Sequence, residues 1–279
     1  MATLIDDLKM VADDSANRGI RPDVIRIQLK EKLQLYVLDF IYNNPKYNHL
    51  IFYGGTCLRK CFGAGRMSED VDFETPESFE KKKFAEDIAK HFRERIAYSD
   101  LLAVAPGQTV GKVELRFPVL HPLGLSPLAD EKLNLKVEVN TIGKKYPTEN
   151  RTISEDRFSF MVRHYDLPTL MAGKLLACLN RVWRKGKTGI TVKGRDYFDL
   201  LWYMQKKIIP NPERILDAPG EPTPRMVFEK LAEMVKKIRP SDLMLDLEPL
   251  FEDGRFVKQW ADHFHNEFEK LYNEYQHTL

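Results

Sequence analysis

The chain has 279 residues, 43% hydrophobic and 30% charged, which allows one large domain or two modest ones and excludes disorder, collagen-like repeats and a coiled coil. Its apolar runs stop well short of the roughly 18 residues of a membrane span. Met1–Asp7 shows no basic stretch leading into an apolar core, and three cysteines cannot complete a disulfide framework, so a soluble, cytoplasmic protein with no membrane partner is expected. Net charge is only +2, but its distribution is uneven. Lys174 to Arg214 holds ten Lys/Arg against three acids, and Ser241 to the end holds nine acids against three bases. The basic stretch is a candidate polyanion surface, with a solvated helical face as the equal alternative.

In chain order, Val24, Ile27, Leu33, Val37, Phe40 and Ile41 recur near the helical period and predict an amphipathic helix from Val24 to Asn43, ended by Asn44-Pro45. A short buried strand is expected over His49–Tyr53, broken at Gly54-Gly55 and followed by a short helix through Leu58 and Phe62. Val71 to Thr75 reads as a second strand, and the charged stretch Glu77 to Ile96 as a surface helix. Apolar alternation marks two more strands, Lys112 to Val119 and Lys132 to Ile142; in the latter Leu133, Leu135, Val137 and Val139 face one way and Asn134, Lys136, Glu138 and Asn140 the other. After Asp166 the pattern is helical to the end. A mixed α/β half followed by an all-helical half predicts an α+β architecture.

The chemistry concentrates between Gly54 and Asp72. A strand running into Gly54-Gly55-Thr56 and then a helix lets backbone N–H groups approach a phosphate closely. Fourteen positions on come Asp70 and Asp72, at i and i+2, whose carboxylates project together and suit one or two Mg²⁺ ions. Glu138, on the polar face of its strand, could supply the third acid of a phosphoryl-transfer site or simply pair with Lys136 in solvent. Asp166 and Pro168 predict a helix start. Lys174 then falls in an apolar stripe with Leu170, Met171, Leu175 and Cys178, where its charge needs a compensating anion such as a triphosphate. Asp196 and Asp199 share a helix face near its start; catalysis is one reading, and a capping acid for Asp196 and an ion pair with a neighbouring Arg for Asp199 are the equal alternatives. Cys57 and Cys61 read as core thiols, since no histidine completes a zinc pattern. The basic stretch, with Trp183 interleaved among Arg181, Arg184, Lys185, Lys187, Lys193 and Arg195, could track RNA phosphates and stack an unpaired base.

Four motifs in order resemble the AbiEii/AbiGii-type nucleotidyltransferase toxins: Gly54-Gly55-Thr56 with Arg66, Ser68, Asp70 and Asp72; Lys136-Val137-Glu138; Lys174 in Ala172–Leu175; and Arg195-Asp196 with Asp199-Leu200. The resemblance implies a DNA-polymerase-β-like nucleotidyltransferase core over residues 1–160, including the N-terminal helices, and a helical C-terminal domain over 161–279 that contributes Lys174 and Asp196. It further implies a role in toxin–antitoxin systems or phage defence, with an NTP co-substrate, Mg²⁺, and NMP transfer to a tRNA 3′ end. Transfer to a protein or small-molecule hydroxyl on the same fold, or an inactive nucleotide-binding module, are the other readings. On this pattern Asp70, Asp72 and Glu138 hold metal, and Gly54, Gly55, Thr56, Arg66, Ser68 and Asp199 bind nucleotide. Lys174 meets the triphosphate, and Asp196 positions the nucleotide or Lys174. Gly-Gly-Thr replaces the superfamily's Gly-Ser, with the Thr56 hydroxyl expected to serve in its place. Ser68, expected in an accessible segment, would block nucleotide binding if phosphorylated. A monomer with a cognate antitoxin is expected.

Overall fold

The computed structural model describes residues 3–107, 111–180, 192–220 and 222–276. The helix expected from Val24 is α2, Pro22–Tyr42. It is not amphipathic: Val24, Ile25, Leu29, Leu33, Leu35, Tyr36, Val37, Leu38 and Ile41 are all buried, and so are Lys32 and Gln34. A helix apolar on nearly every side lies inside a core. Its cover includes α1, Leu4–Asn17, which the apolar period does not announce; it starts on a capping box in which the Thr3 hydroxyl accepts from Asp6 N and the Asp6 carboxylate accepts from Thr3 N.

The chain divides into two units, Met1–His164 and Tyr165–Leu279. The first carries a mixed seven-stranded sheet in the order β3-β4-β5-β2-β1-β7-β6. Its strands are β1 (Ile51–Tyr53), β2 (Val71–Thr75), β3 (Leu102–Val104), β4 (Lys112–Phe117), β5 (Leu133–Thr141), β6 (Thr148–Glu155) and β7 (Phe158–Tyr165). At the centre β2 runs antiparallel to β1 and parallel to β5, while β1 runs parallel to β7. Phe52, Val71, Phe73, Val113, Leu115, Val137 and Val139 are buried on one face, so the alternation read in the sequence sets which face is core. Helix α3 (Gly54–Phe62) follows β1 directly and stops at Gly63 in the left-handed conformation. Helix α4 (Lys81–Glu94) buries Phe84, Ala85, Ile88 and Phe92 and packs with Phe40, Tyr47 and Phe117 in an aromatic cluster.

A charged knot ties the start of the chain to the β6–β7 turn. Tyr36 Oη donates to Asp7 (2.6 Å), Lys32 Nζ pairs with Asp156 (2.6 Å), and Arg157 pairs with Asp7 (3.2 Å) and donates to Tyr36 Oη. Burial, reinforced by the Asp7 hydrogen bond, pushes the Tyr36 phenol well above its usual range.

The second unit is helical: α5 (Leu167–Asn180), α6 (Gly194–Gln205), α7 (Pro212–Leu216), α8 (Pro224–Val235), α9 (Pro240–Leu247) and α10 (Gly254–Tyr275). Pro212, Pro224 and Pro240 open α7, α8 and α9, because the N–H that proline lacks is unpaired in a first turn anyway; Asn211 and Thr223 cap α7 and α8. Asp166 accepts from Thr169 N (2.9 Å) at the head of α5, as its sequence suggests. A Cβ on Gly194 would collide with the Leu243 carbonyl, so α6 begins flush against the backbone of α9. Among the described residues no helix is long and apolar enough to cross a membrane.

Candidate active site

In the first unit the expected acids lie on one face of adjacent strands. The ladder sets Tyr53 of β1 opposite Asp72 of β2, Asp72 opposite Glu138 of β5, and Glu138 opposite Lys112 of β4. Paired residues share a face, so this row is a continuous polar strip on the side of the sheet away from Phe52, Val71, Phe73 and Val137. Asp70 stands just before β2, and both it and Asp72 are half-buried. Sequence spacing gave the Asp70–Asp72 pair; the pairing of β2 with β5 brings Glu138 level with Asp72.

Gly54 has φ +79°, and a Cβ there would strike the Asp72 carboxylate. The first glycine therefore serves both the turn and the seat of Asp72. A Cβ on Gly55 would strike the Arg66 guanidinium. Arg66 is buried and donates to the Met67 carbonyl (2.9 Å), so its planar head lies under the glycine turn.

Two expectations about hydroxyls change. Thr56 is fully buried; its hydroxyl donates to the Asp70 carbonyl and lies 2.8 Å from the Ser68 hydroxyl. It braces the loop instead of facing outward as a phosphate ligand. Ser68 is only 6% exposed, so the accessible control point read from the sequence is a buried member of the same brace. Both residues face inward because the irregular Met67–Asp70 segment has backbone groups to satisfy.

Three residues of this face were missed. Glu74 continues the face of Asp72 two residues on and is buried. Asn140, two beyond Glu138, donates to Tyr53 Oη (2.8 Å). Burial pushes the Tyr53 phenol well above its usual range, and the charges of Asp72 and Glu74 push it further. Tyr53 and Glu74 escape a sequence reading because they look like strand filler; alternation from Asp72 was the available signal for Glu74.

Among the described residues no three His, Cys, Asp or Glu side chains converge as a ready-made metal-holding group. The donor set still suits Mg²⁺: carboxylate oxygens of Asp70, Asp72 and Glu138 are hard ligands on neighbouring backbone positions. Cys57 and Cys61 are buried core thiols, and burial raises the Cys57 thiol well above its usual range.

In the second unit Lys174 of α5 is clamped by two carboxylates of α6, Asp196 Oδ1 at 2.8 Å and Asp199 Oδ2 at 2.9 Å. The anions that compensate the lysine in its apolar stripe are thus the chain's own acids. Asp199 pairs with Lys174. Asp196 is in the first turn of α6. Arg195, read as an RNA contact, is bidentate on Asp246 of α9 through Nε (3.1 Å) and Nη2 (3.0 Å), and its amide also donates to Asp246; its guanidinium fixes α6 to α9. Lys193 is the residue before α6 and is half-buried. Arg181, Trp183, Arg184, Lys185 and Lys187 lie outside the described residues.

A family model described as "Nucleotidyl transferase AbiEii toxin, Type IV TA system" matches residues 37–277. No curated relative matches. Among solved structures, the Helicobacter pylori protein JHP933 is similar over 90% of this chain and 94% of its own, with TM-score 0.53 and 17% identity. A second H. pylori protein, described as a nucleotidyltransferase, is similar over 90% of this chain and 96% of its own, with TM-score 0.51 and 17% identity. At such identity these likenesses speak for the fold.

Proposed function

Because the chain belongs to the AbiEii family of nucleotidyltransferase toxins of type IV toxin–antitoxin systems, we propose that it transfers NMP from an NTP to an RNA acceptor, a tRNA 3′ end, and so arrests translation and growth. The observation that carries this reading is the level pairing of Asp72 with Glu138 on parallel strands, beside the Gly54-Gly55 turn. Mg²⁺ held by Asp70, Asp72 and Glu138 would supply charge neutralisation on the phosphates and lower the pKa of the attacking hydroxyl. The glycine turn and the start of α3 offer backbone N–H groups to the triphosphate. Glu138 takes the proton of the acceptor hydroxyl as its oxygen bonds to the α-phosphorus and pyrophosphate leaves. Asp196 and Asp199 hold the Lys174 ammonium in place. A cognate antitoxin holds this activity in check in the cell.

The test is incubation with Mg²⁺, each labelled NTP in turn, and total tRNA. Label in tRNA is expected, reduced to background in Asp72→Ala with an unchanged far-UV spectrum. Label appearing only in protein moves the acceptor to a protein hydroxyl. Full transfer by folded Asp72→Ala overturns the site.

A further inference from the structure

The irregular segment leading to Asp70 is stitched to helix α2 by residues that precede the matched family region. Glu31 accepts a hydrogen bond from Ser68 N (3.2 Å) while its carboxylate also receives Arg59 Nε (3.2 Å) of α3. One turn on, Gln34 is fully buried and donates through Nε2 to the Ser68 carbonyl (2.8 Å). Both backbone polar groups of Ser68 are therefore satisfied by side chains of one helix face, at i and i+3. Lys30 adds an ion pair to Glu69 (3.2 Å). From the other side Thr56 of α3 takes the Asp70 carbonyl, and Arg59 Nη1 donates to the Ala64 carbonyl (3.1 Å). A loop with no ladder of its own is held at successive residues, Ser68, Glu69 and Asp70.

Gln34 bears a cost that a purely structural residue would shed. Its Oε1 is buried without a hydrogen-bond partner, a penalty that an apolar side chain of the same length would avoid. What the amide provides in return is a donor to Ser68 O. Glu31 likewise spends a largely buried carboxylate on a backbone amide and a guanidinium rather than on the core.

We propose that Glu31 and Gln34 are positioning residues: they fix the Ser68 peptide from α2 so that the Asp70 carboxylate is held beside that of Asp72 before a divalent cation binds. The inference rests on the reading of Asp70 and Asp72 as metal ligands. Without the two anchors the segment samples other backbone conformations, and binding must then meet the cost of ordering it.

The experiment compares the full chain with Glu31→Met, Glu31→Gln, Gln34→Met and Asp72→Ala, reading Mn²⁺ affinity by electron paramagnetic resonance, amide exchange at Ser68 and Glu69 without metal, and melting temperature. Gln34→Met and Glu31→Met are expected to bind Mn²⁺ about tenfold more weakly, with exchange at Ser68 accelerated at least tenfold. Glu31→Gln keeps an acceptor oxygen and is expected to recover most of both. The Gln34→Met variant removes the orphaned oxygen, so it is expected to melt no lower than the parent, separating positioning from packing. Wild-type Mn²⁺ affinity and Ser68 protection in these variants, alongside lost binding in Asp72→Ala, overturn the positioning role alone. Wild-type Mn²⁺ binding in Asp72→Ala overturns the metal reading beneath it.

Discussion

The acids of the sheet and the cluster around Lys174 reach their places by different means. Asp72 and Glu138 are placed by backbone register: two parallel strands pair at that level, and a missing side chain at Gly54 leaves room for the carboxylate. Lys174, Asp196 and Asp199 are placed by charge: each is set by the others, across two helices, in surroundings where Asp199 is wholly buried. A register-built site survives loss of a side chain with its fold intact. A charge-built one is more exposed to such a loss, because the carboxylates left behind are buried without their lysine.

The strongest way to break this contrast is Lys174→Met. It roughly keeps the length of the side chain yet removes the cation that two buried carboxylates share, and is expected to destabilise the protein by about 3–5 kcal/mol in urea unfolding. Adding Asp196→Asn and Asp199→Asn should recover most of that loss; if the single variant is as stable as its parent, the cluster is not held by charge. Gly54→Ala probes the other region. It forces a side chain into left-handed backbone and against Asp72, for an expected loss of about 1–2 kcal/mol, with transfer falling far more than stability. Equal losses at Gly55→Ala and Gly54→Ala in transfer alone would shift the emphasis to Arg66. The smallest effect sharpens the contrast within the sheet itself. Glu114 lies on the same strand as Lys112, and hydrogen bonds from Arg116 and Lys112 hold its carboxyl below the usual value near 4.5. A depressed folded pKa gives stability that is full above pH 4.5 and lost as pH falls through the lower value. Glu114→Gln should therefore flatten the acid limb of the melting curve below pH 4.5, by no more than about 1 kcal/mol for so accessible a pair.

Apolar alternation made β4 and β5 legible, and with β5 the side of the sheet on which Glu138 stands. It left out β6, whose residues are mostly exposed and polar, since an edge strand with little to bury carries no period. The alternation of Phe158, Phe160 and Val162 in β7 was present but short and close to the helical half. Helix α1 hides behind acidic residues, and its signal is the Thr3–Asp6 box. Within the site, residue types and spacing pointed to the acids and the glycines. They could not tell which way Thr56 and Ser68 point, because that depends on which backbone groups of the following loop lack partners. Nor could spacing show that Asp246, about fifty positions away, claims Arg195.

The knot of Asp7, Lys32, Tyr36, Asp156 and Arg157 sets a timetable for synthesis. Strand β1 leaves the ribosome early, but its parallel neighbour β7 and the turn that carries Arg157 follow more than a hundred residues later. At about 5–20 residues per second that interval lasts on the order of 5–20 s, during which Asp7 and Lys32 lack their later partners. Long-range pairing of this kind also slows the final closure of a sheet. The acid row closes only after Glu138 has emerged, and Asp7 of the first helix meets Arg157 later still.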